Sequence, residues 1–181
     1  MRTNARQGPE IWVRGPVPDT RAEPDGWEDR LERPAGRSVT PRRFSWLATH
    51  GGAGTTTLAV VYGGHDCGRA WPEPGAPTSV LLVARTHAAG LDAVTRALEV
   101  FRRGEAPAGL DLDAVVLVAD APGRLPRRLA QRVKPIEAVI DVYRVPWTEA
   151  WRVGDLSGAP PRESEPLARL TGVGRTRAGD P

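Results

Sequence analysis

Two stretches of this chain are almost continuously aliphatic: residues 79–85 (Ser-Val-Leu-Leu-Val-Ala-Arg) and residues 114–120 (Ala-Val-Val-Leu-Val-Ala-Asp). A strand with one wet face alternates apolar and polar side chains, whereas a strand covered on both faces does not. Short valine-rich runs with polar ends therefore predict strands in the interior of a parallel sheet. Weaker apolar runs at residues 44–49 and 138–145 predict one strand before them and one after. Helical segments separate the four. Residues 55–62 follow the first strand. Residues 91–103 form the clearest helix, with Leu91, Val94, Leu98 and Phe101 at helical spacing and Gly104 suited to end it. Residues 125–133 make a shorter helix, and a final helical turn is expected beyond Pro146. Such alternation predicts a small three-layer α/β fold with a doubly wound, mostly parallel sheet.

Composition sets the limits of that domain. Residues 43–157 hold the apolar runs. Residues 1–42 and 158–181 are rich in Pro, Gly, Arg and acids, and are expected to be disordered tails, too poor in aliphatic side chains to offset the entropy of ordering. Ile11-Trp12-Val13 is the one short apolar patch in the first tail. No run is long enough to span a bilayer and the first residues form no apolar leader, so the expected location is the cytoplasm, without membrane partners. Cys67 is the only cysteine, which excludes an intrachain disulfide and a cysteine zinc cluster. His50, His65 and His87 show no metal spacing, and no Ser/His/Asp or Cys/His arrangement is evident.

The most informative local feature lies between the first strand and the first helix. His50-Gly51-Gly52-Ala53-Gly54-Thr55-Thr56-Thr57 puts a glycine-rich turn at a helix N-terminus. Glycines let the backbone curl until its N–H groups converge, and the helix start adds unpaired donors and the positive dipole end. Gly51, Gly52, Ala53, Gly54, Thr55, Thr56 and Thr57 are therefore the candidate phosphate or anion site. The alternative is a tight strand-to-helix turn that serves packing alone.

This segment resembles the deviant Walker A loop of ParA/MinD-type P-loop NTPases, Lys-Gly-Gly-Val-Gly-Lys-Thr-Thr. The three glycines and the last two threonines agree. Both lysines are missing: His50 stands at the family's signature lysine and Thr55 at the general P-loop lysine. The resemblance extends more loosely over residues 44–154, through residues 80–91 and on to Val142-Tyr143-Arg144-Val145-Pro146-Trp147-Thr148-Glu149-Ala150, which is similar to the family's stretch beside the nucleotide base. The same eight-residue loop is similar to that of a group of actinobacterial proteins. The resemblance implies ATP or ADP with magnesium as cofactor, and a homodimer among the possible assemblies.

The departures imply lost chemistry. The P-loop lysine reaches the β and γ phosphates, and removing such a cation costs on the order of several kcal/mol of transition-state stabilisation. Only about seventeen residues separate the first helix from the second apolar run, where a full ParA-type domain carries more elements and its carboxylates. Asp120 ends an apolar run and reads either as a magnesium-orienting acid, with Thr56 as its partner ligand, or as the start of a turn through Pro122-Gly123. The leading expectation is a degenerate, non-hydrolysing nucleotide- or anion-binding or scaffolding module, linked by analogy to plasmid maintenance, partition or secretion. A slow ATPase, with a cation supplied by Arg85 or a second subunit, is the alternative.

A third expectation concerns charge. The net charge is only +3, yet Arg124, Arg127, Arg128, Arg132 and Lys134 form a run of cations with no acid between Asp120 and Glu137. It is a candidate patch for nucleic acid or an acidic partner, or else a solvated helix face. Trp147 and Trp151, four residues apart, suit either core packing or an interface with a protein not identified by the sequence.

Overall fold

The computed structural model describes residues 43–173. The expectation for the first tail, residues 1–42, falls outside that range, as does the end of the second. The elements in chain order are β1 (Ser45–Ala48), α1 (Thr55–Tyr62), β2 (His65–Asp66), β3 (Ser79–Arg85), α2 (Ala88–Arg102), β4 (Asp111–Val118), α3 (Arg127–Glu137), β5 (Val142–Val145), α4 (Glu149–Arg152) and α5 (Glu165–Thr171), the last preceded by a 3₁₀ turn at Arg162–Ser164. The five strands form one sheet in the order β2-β1-β3-β4-β5, every pair parallel. The expected three-layer, doubly wound α/β sheet is what the chain forms.

The aliphatic runs explain the layering. β3 lies between β1 and β4, so both its edges are paired. Its side chains alternate between the two faces: Leu81 and Val83 enter one core, Val80, Leu82 and Ala84 the other. The first core lies under α1 and α5, with Trp46, Val116, Val118 and Val145 from the sheet against Leu58, Tyr62 and Leu167. The second lies under α2 and α3, with Leu47, Val115 and Leu117 against Leu91, Val94, Val133 and Ile136. An aromatic group anchors the first core. Trp46 is fully buried, donates from Nε1 to Gly63 O at 2.7 Å, and meets Phe44 and Tyr62 edge-on.

Three expectations need correction. The fourth strand begins at Val142, because Ala138 and Ile140 extend the turn of α3, their N–H groups donating to Lys134 O and Ile136 O. A two-residue strand, β2, unexpected from the sequence, lies in the short span between the first helix and the second apolar run; His65 N–H donates to Phe44 O and Cys67 N–H to Trp46 O. The segment from residue 158, expected to be a disordered tail, carries α5 within its described part. Leu167, Ala168 and Thr171 share one buried helical face. Ser164 Oγ donates to Pro161 O at 2.7 Å, so Tyr62 OH donates to Ser164 Oγ at 2.5 Å. Burial pushes the Tyr62 phenol up and Ser164 partly opposes it, which keeps the group a neutral donor. That bond ties α5 to α1.

If α5 is part of the core, Leu167→Ala lowers stability by about 2–5 kcal/mol in urea unfolding. Arg169→Ala, which removes only an exposed pairing with Glu165 on the same helix, stays within about 0.5 kcal/mol of the parent.

Candidate functional site

The strand order locates the site before any side chain is considered. From β1 the chain passes to β2 on one side, then crosses back to place β3 on the other. In open α/β sheets, ligands enter the crevice outside the carboxyl ends of the strands where the order reverses. Here that crevice lies between the ends of β1 and β3, and the glycine-rich turn forms its rim. Gly52 and Gly54 have φ of +73° and +105°, a region that side chains with a Cβ rarely adopt. Gly54 caps α1 without a side-chain acceptor, so the first N–H groups of the helix have no partner from the cap or from within the helix.

The residues that stand where the resembled loop has lysines have other work. His50 Nδ1 donates to Gly51 O at 2.8 Å and Nε2 accepts from Arg85 N–H at 3.0 Å. The imidazole thus braces the turn against β3. Its ring lies 5.0 Å from His87, whose Nδ1 accepts from Gly90 N–H at 2.9 Å and caps α2. A Cβ at Gly90 would sit 2.2 Å from Arg85 O and 3.1 Å from His50 Nε2, so only glycine lets α2 start this close. Thr55, at the general lysine position, is buried.

The cation beside the turn is Arg85, the last residue of β3. Its Nε donates to Gly52 O at 3.4 Å and its Nη1 to Ala119 O at 3.0 Å. The side chain thus spans the glycine turn and the end of β4. Burial lowers its pKa and Asp120 opposes the shift, while Arg152 adds to it; a guanidinium remains charged regardless. Arg152 lies over the Trp147 ring at 5.3 Å. Between these groups and α1 lies a cavity of about 40 Å³, lined by Gly54, Thr57, Arg85, Trp147, Trp151 and Arg152. That is space for one or two water molecules.

The carboxylate beside the turn is Asp66, not Asp120. Thr56 Oγ1 donates to Asp66 Oδ2 at 2.7 Å, and Gly68 N–H to Asp66 Oδ1 at 2.9 Å. Burial raises the Asp66 pKa, but these bonds outweigh it and hold the carboxyl below its ordinary value. Asp120 lies past the end of β4, on the far side of β3 from β1, where its N–H donates to Thr86 Oγ1 at 3.1 Å. The structure therefore does not assemble the expected Thr56–Asp120 pair; the hydroxyl is taken by Asp66. Sequence reasoning missed Asp66 because β2 is too short to make an apolar run. The available signal was the spacing of ten residues from Thr56, one helix and a glycine turn away. Among the described residues, no group of three or more His, Cys, Asp or Glu side chains is placed to hold a metal ion.

The cationic run lies elsewhere. Arg127, Arg128, Arg132 and Lys134 are on α3, and Arg124 precedes it and lines a cavity with Thr86, His87 and Asp120. No helix among the described residues is long and apolar enough to cross a membrane.

Residues 44–167 match DUF6668, a family of unknown function. The chain belongs to that family. The matched span runs past residue 157 to Leu167, so it takes in the whole sheet and the first three residues of α5. No curated protein and no solved structure matches the chain.

Two outcomes test this geometry. Gly90→Ala forces the start of α2 off Arg85 and His50 and costs about 1–3 kcal/mol in urea unfolding. Asp66 has a depressed pKa in the folded state, so its contribution is present above the unfolded carboxyl pKa and is lost as pH falls through the folded one. In Asp66→Asn the urea midpoint therefore changes less across the acid range than in the parent.

Proposed function

We propose that this chain is a cytoplasmic binding module descended from a ParA/MinD-type P-loop NTPase, whose glycine turn holds an anionic group, foremost the phosphates of ATP or ADP, without hydrolysing it. The observation that carries the reading is the turn itself: Gly52 and Gly54 in the left-handed region, an uncapped helix start behind them, and a buried threonine where the catalytic lysine of such loops would be. Backbone N–H groups suffice to bind phosphate. Hydrolysis needs a cation that follows the charge moving onto the γ phosphate. Arg85 is the cation at hand, and its guanidinium is engaged by the carbonyls of Gly52 and Ala119.

The cavity of about 40 Å³ beside the turn is too small to enclose a nucleotide, so one would lie across its mouth or displace Arg85, Trp147, Trp151 or Arg152. Magnesium chemistry fits the residues in one respect: Thr56 and Asp66 present a hydroxyl and a carboxylate side by side, a donor set suited to a hard cation that keeps most of its ligands from water and phosphate. Bound there, magnesium would supply charge neutralisation at phosphate oxygens. Thr56 and Asp66 would hold it, and Arg85 would orient the anion. This pairing favours the slow hydrolase as the second reading. The process served, whether plasmid maintenance, partition or secretion, follows from the family resemblance alone.

Calorimetry with ATP and ADP, with and without magnesium, combined with phosphate-release assays, tests the proposal. The expected result is binding without turnover, weakened at least tenfold in Gly52→Val. Turnover that Thr56→Ala abolishes would establish the enzyme instead. No heat at millimolar nucleotide would remove both readings.

A further inference from the structure

We propose that the recess between α2 and the connection from β2 to β3 is a second binding site, for a small aromatic carboxylate. It arises from uneven cover over the sheet and does not rest on the reading of the glycine turn. On one face α1 packs over the first core through Leu58 and Tyr62. On the other face the helices are α2 and α3, which follow β3 and β4. Leu47 of β1 is left at the edge of that layer. There a cavity of about 250 Å³ opens, floored by Leu47 and Leu82, with Arg96 and Ala97 of α2 on one side and Arg69 and Trp71 of the connection on the other.

The charge of the recess is uncompensated. Arg69 and Arg96 are exposed, and neither side chain makes an ion pair or a hydrogen bond with a described residue. Other arginines are unpaired too, but those that line a cavity can have acids beside them: Arg124 shares its cavity with Asp120 and Glu163, and Arg43 shares one with Glu73. No acid lines the cavity of Arg69 and Arg96. In this it matches the recess of Arg85 and Arg152 beside the glycine turn. Two like charges at one recess repel each other until an anion joins them. A guanidinium fork matches a carboxylate through two parallel N–H···O bonds.

The rest of the ligand follows from the walls. Trp71 is 39% exposed, and its ring is held edge-on against Phe101 at 5.7 Å. An exposed indole fixed beside an apolar floor offers its face to another ring. A bare phosphate would leave that ring and the two leucines uncovered. The volume lies just below the range of about 300–1,000 Å³ for drug-sized ligands, which suits a body of one or two rings. A protein partner buries about 800 Å² on each side, whereas here the free charge and the exposed ring converge on one recess.

Calorimetry of the full chain with 2-naphthoate tests this, together with the indole N–H resonance of Trp71 in nitrogen-labelled protein, assigned by its loss in Trp71→Phe. One molecule should bind per chain and shift that resonance. Arg69→Gln/Arg96→Gln should weaken binding at least tenfold at an unchanged melting temperature, since both side chains are exposed and unpaired. Ala97→Leu, which fills the recess from α2 without altering its charge, should weaken it as much; should that variant misfold, the arginine variant alone decides. Arg127→Gln/Arg128→Gln, the same charge change placed on α3, should stay within threefold of the parent. Neutral 2-naphthylmethanol and inorganic phosphate should each bind at least tenfold more weakly than 2-naphthoate. The proposal is overturned if millimolar 2-naphthoate neither gives heat nor shifts the Trp71 resonance, if the Arg69/Arg96 variant binds like the parent, or if the α3 variant loses as much. It is overturned equally if phosphate or the alcohol matches 2-naphthoate, or if the acidic peptide Glu-Glu-Trp-Glu-Glu binds more tightly.

Discussion

The double-sided burial of β3 governs this fold. Leu81 and Val83 face one layer and Val80, Leu82 and Ala84 the other, and all five are essentially inaccessible to water. A strand of that kind must have helices over both faces. Covering both faces requires the chain to reverse its direction of winding, and it does so between β1 and β3. The crevice at that reversal is thus a by-product of packing before it is a site.

The residues around the crevice reflect the same origin. Arg85 is simply where β3 runs out of core, and its side chain has nowhere apolar to go. It bridges the glycine turn to the end of β4 instead. His50 answers the complementary need, accepting from the Arg85 N–H that lies beyond the strand ladder. The glycine turn is thus held by an imidazole and a guanidinium, which fix it against the ends of β3 and β4.

Much of this was legible from the residues. β3 and α1 lie where the apolar run and the glycine turn put them, since both signals are local. β4 and α2 differ only at their ends. What escaped notice depends on distant partners. Asp66 sits in a strand of two residues that exists only because β1 offers it backbone groups. Leu167 and Ala168 are set among prolines and arginines that dominate the composition, and their burial depends on a surface created by Trp46, Tyr62 and β5. Ala138 and Ile140 read as strand because a short apolar run looks alike in either state. The role of Arg85 could not be read at all, because Gly52 is 33 positions away.

The Tyr62–Ser164 bond spans 102 positions and closes the layer over α1. During synthesis, Phe44, Trp46 and Tyr62 leave the ribosome long before Leu167 can cover them. Long-range closure of this kind is slow, and the exposed aromatic surface is sticky while it waits. The nascent chain therefore passes through a state in which the sheet is nearly complete and its first face is still bare.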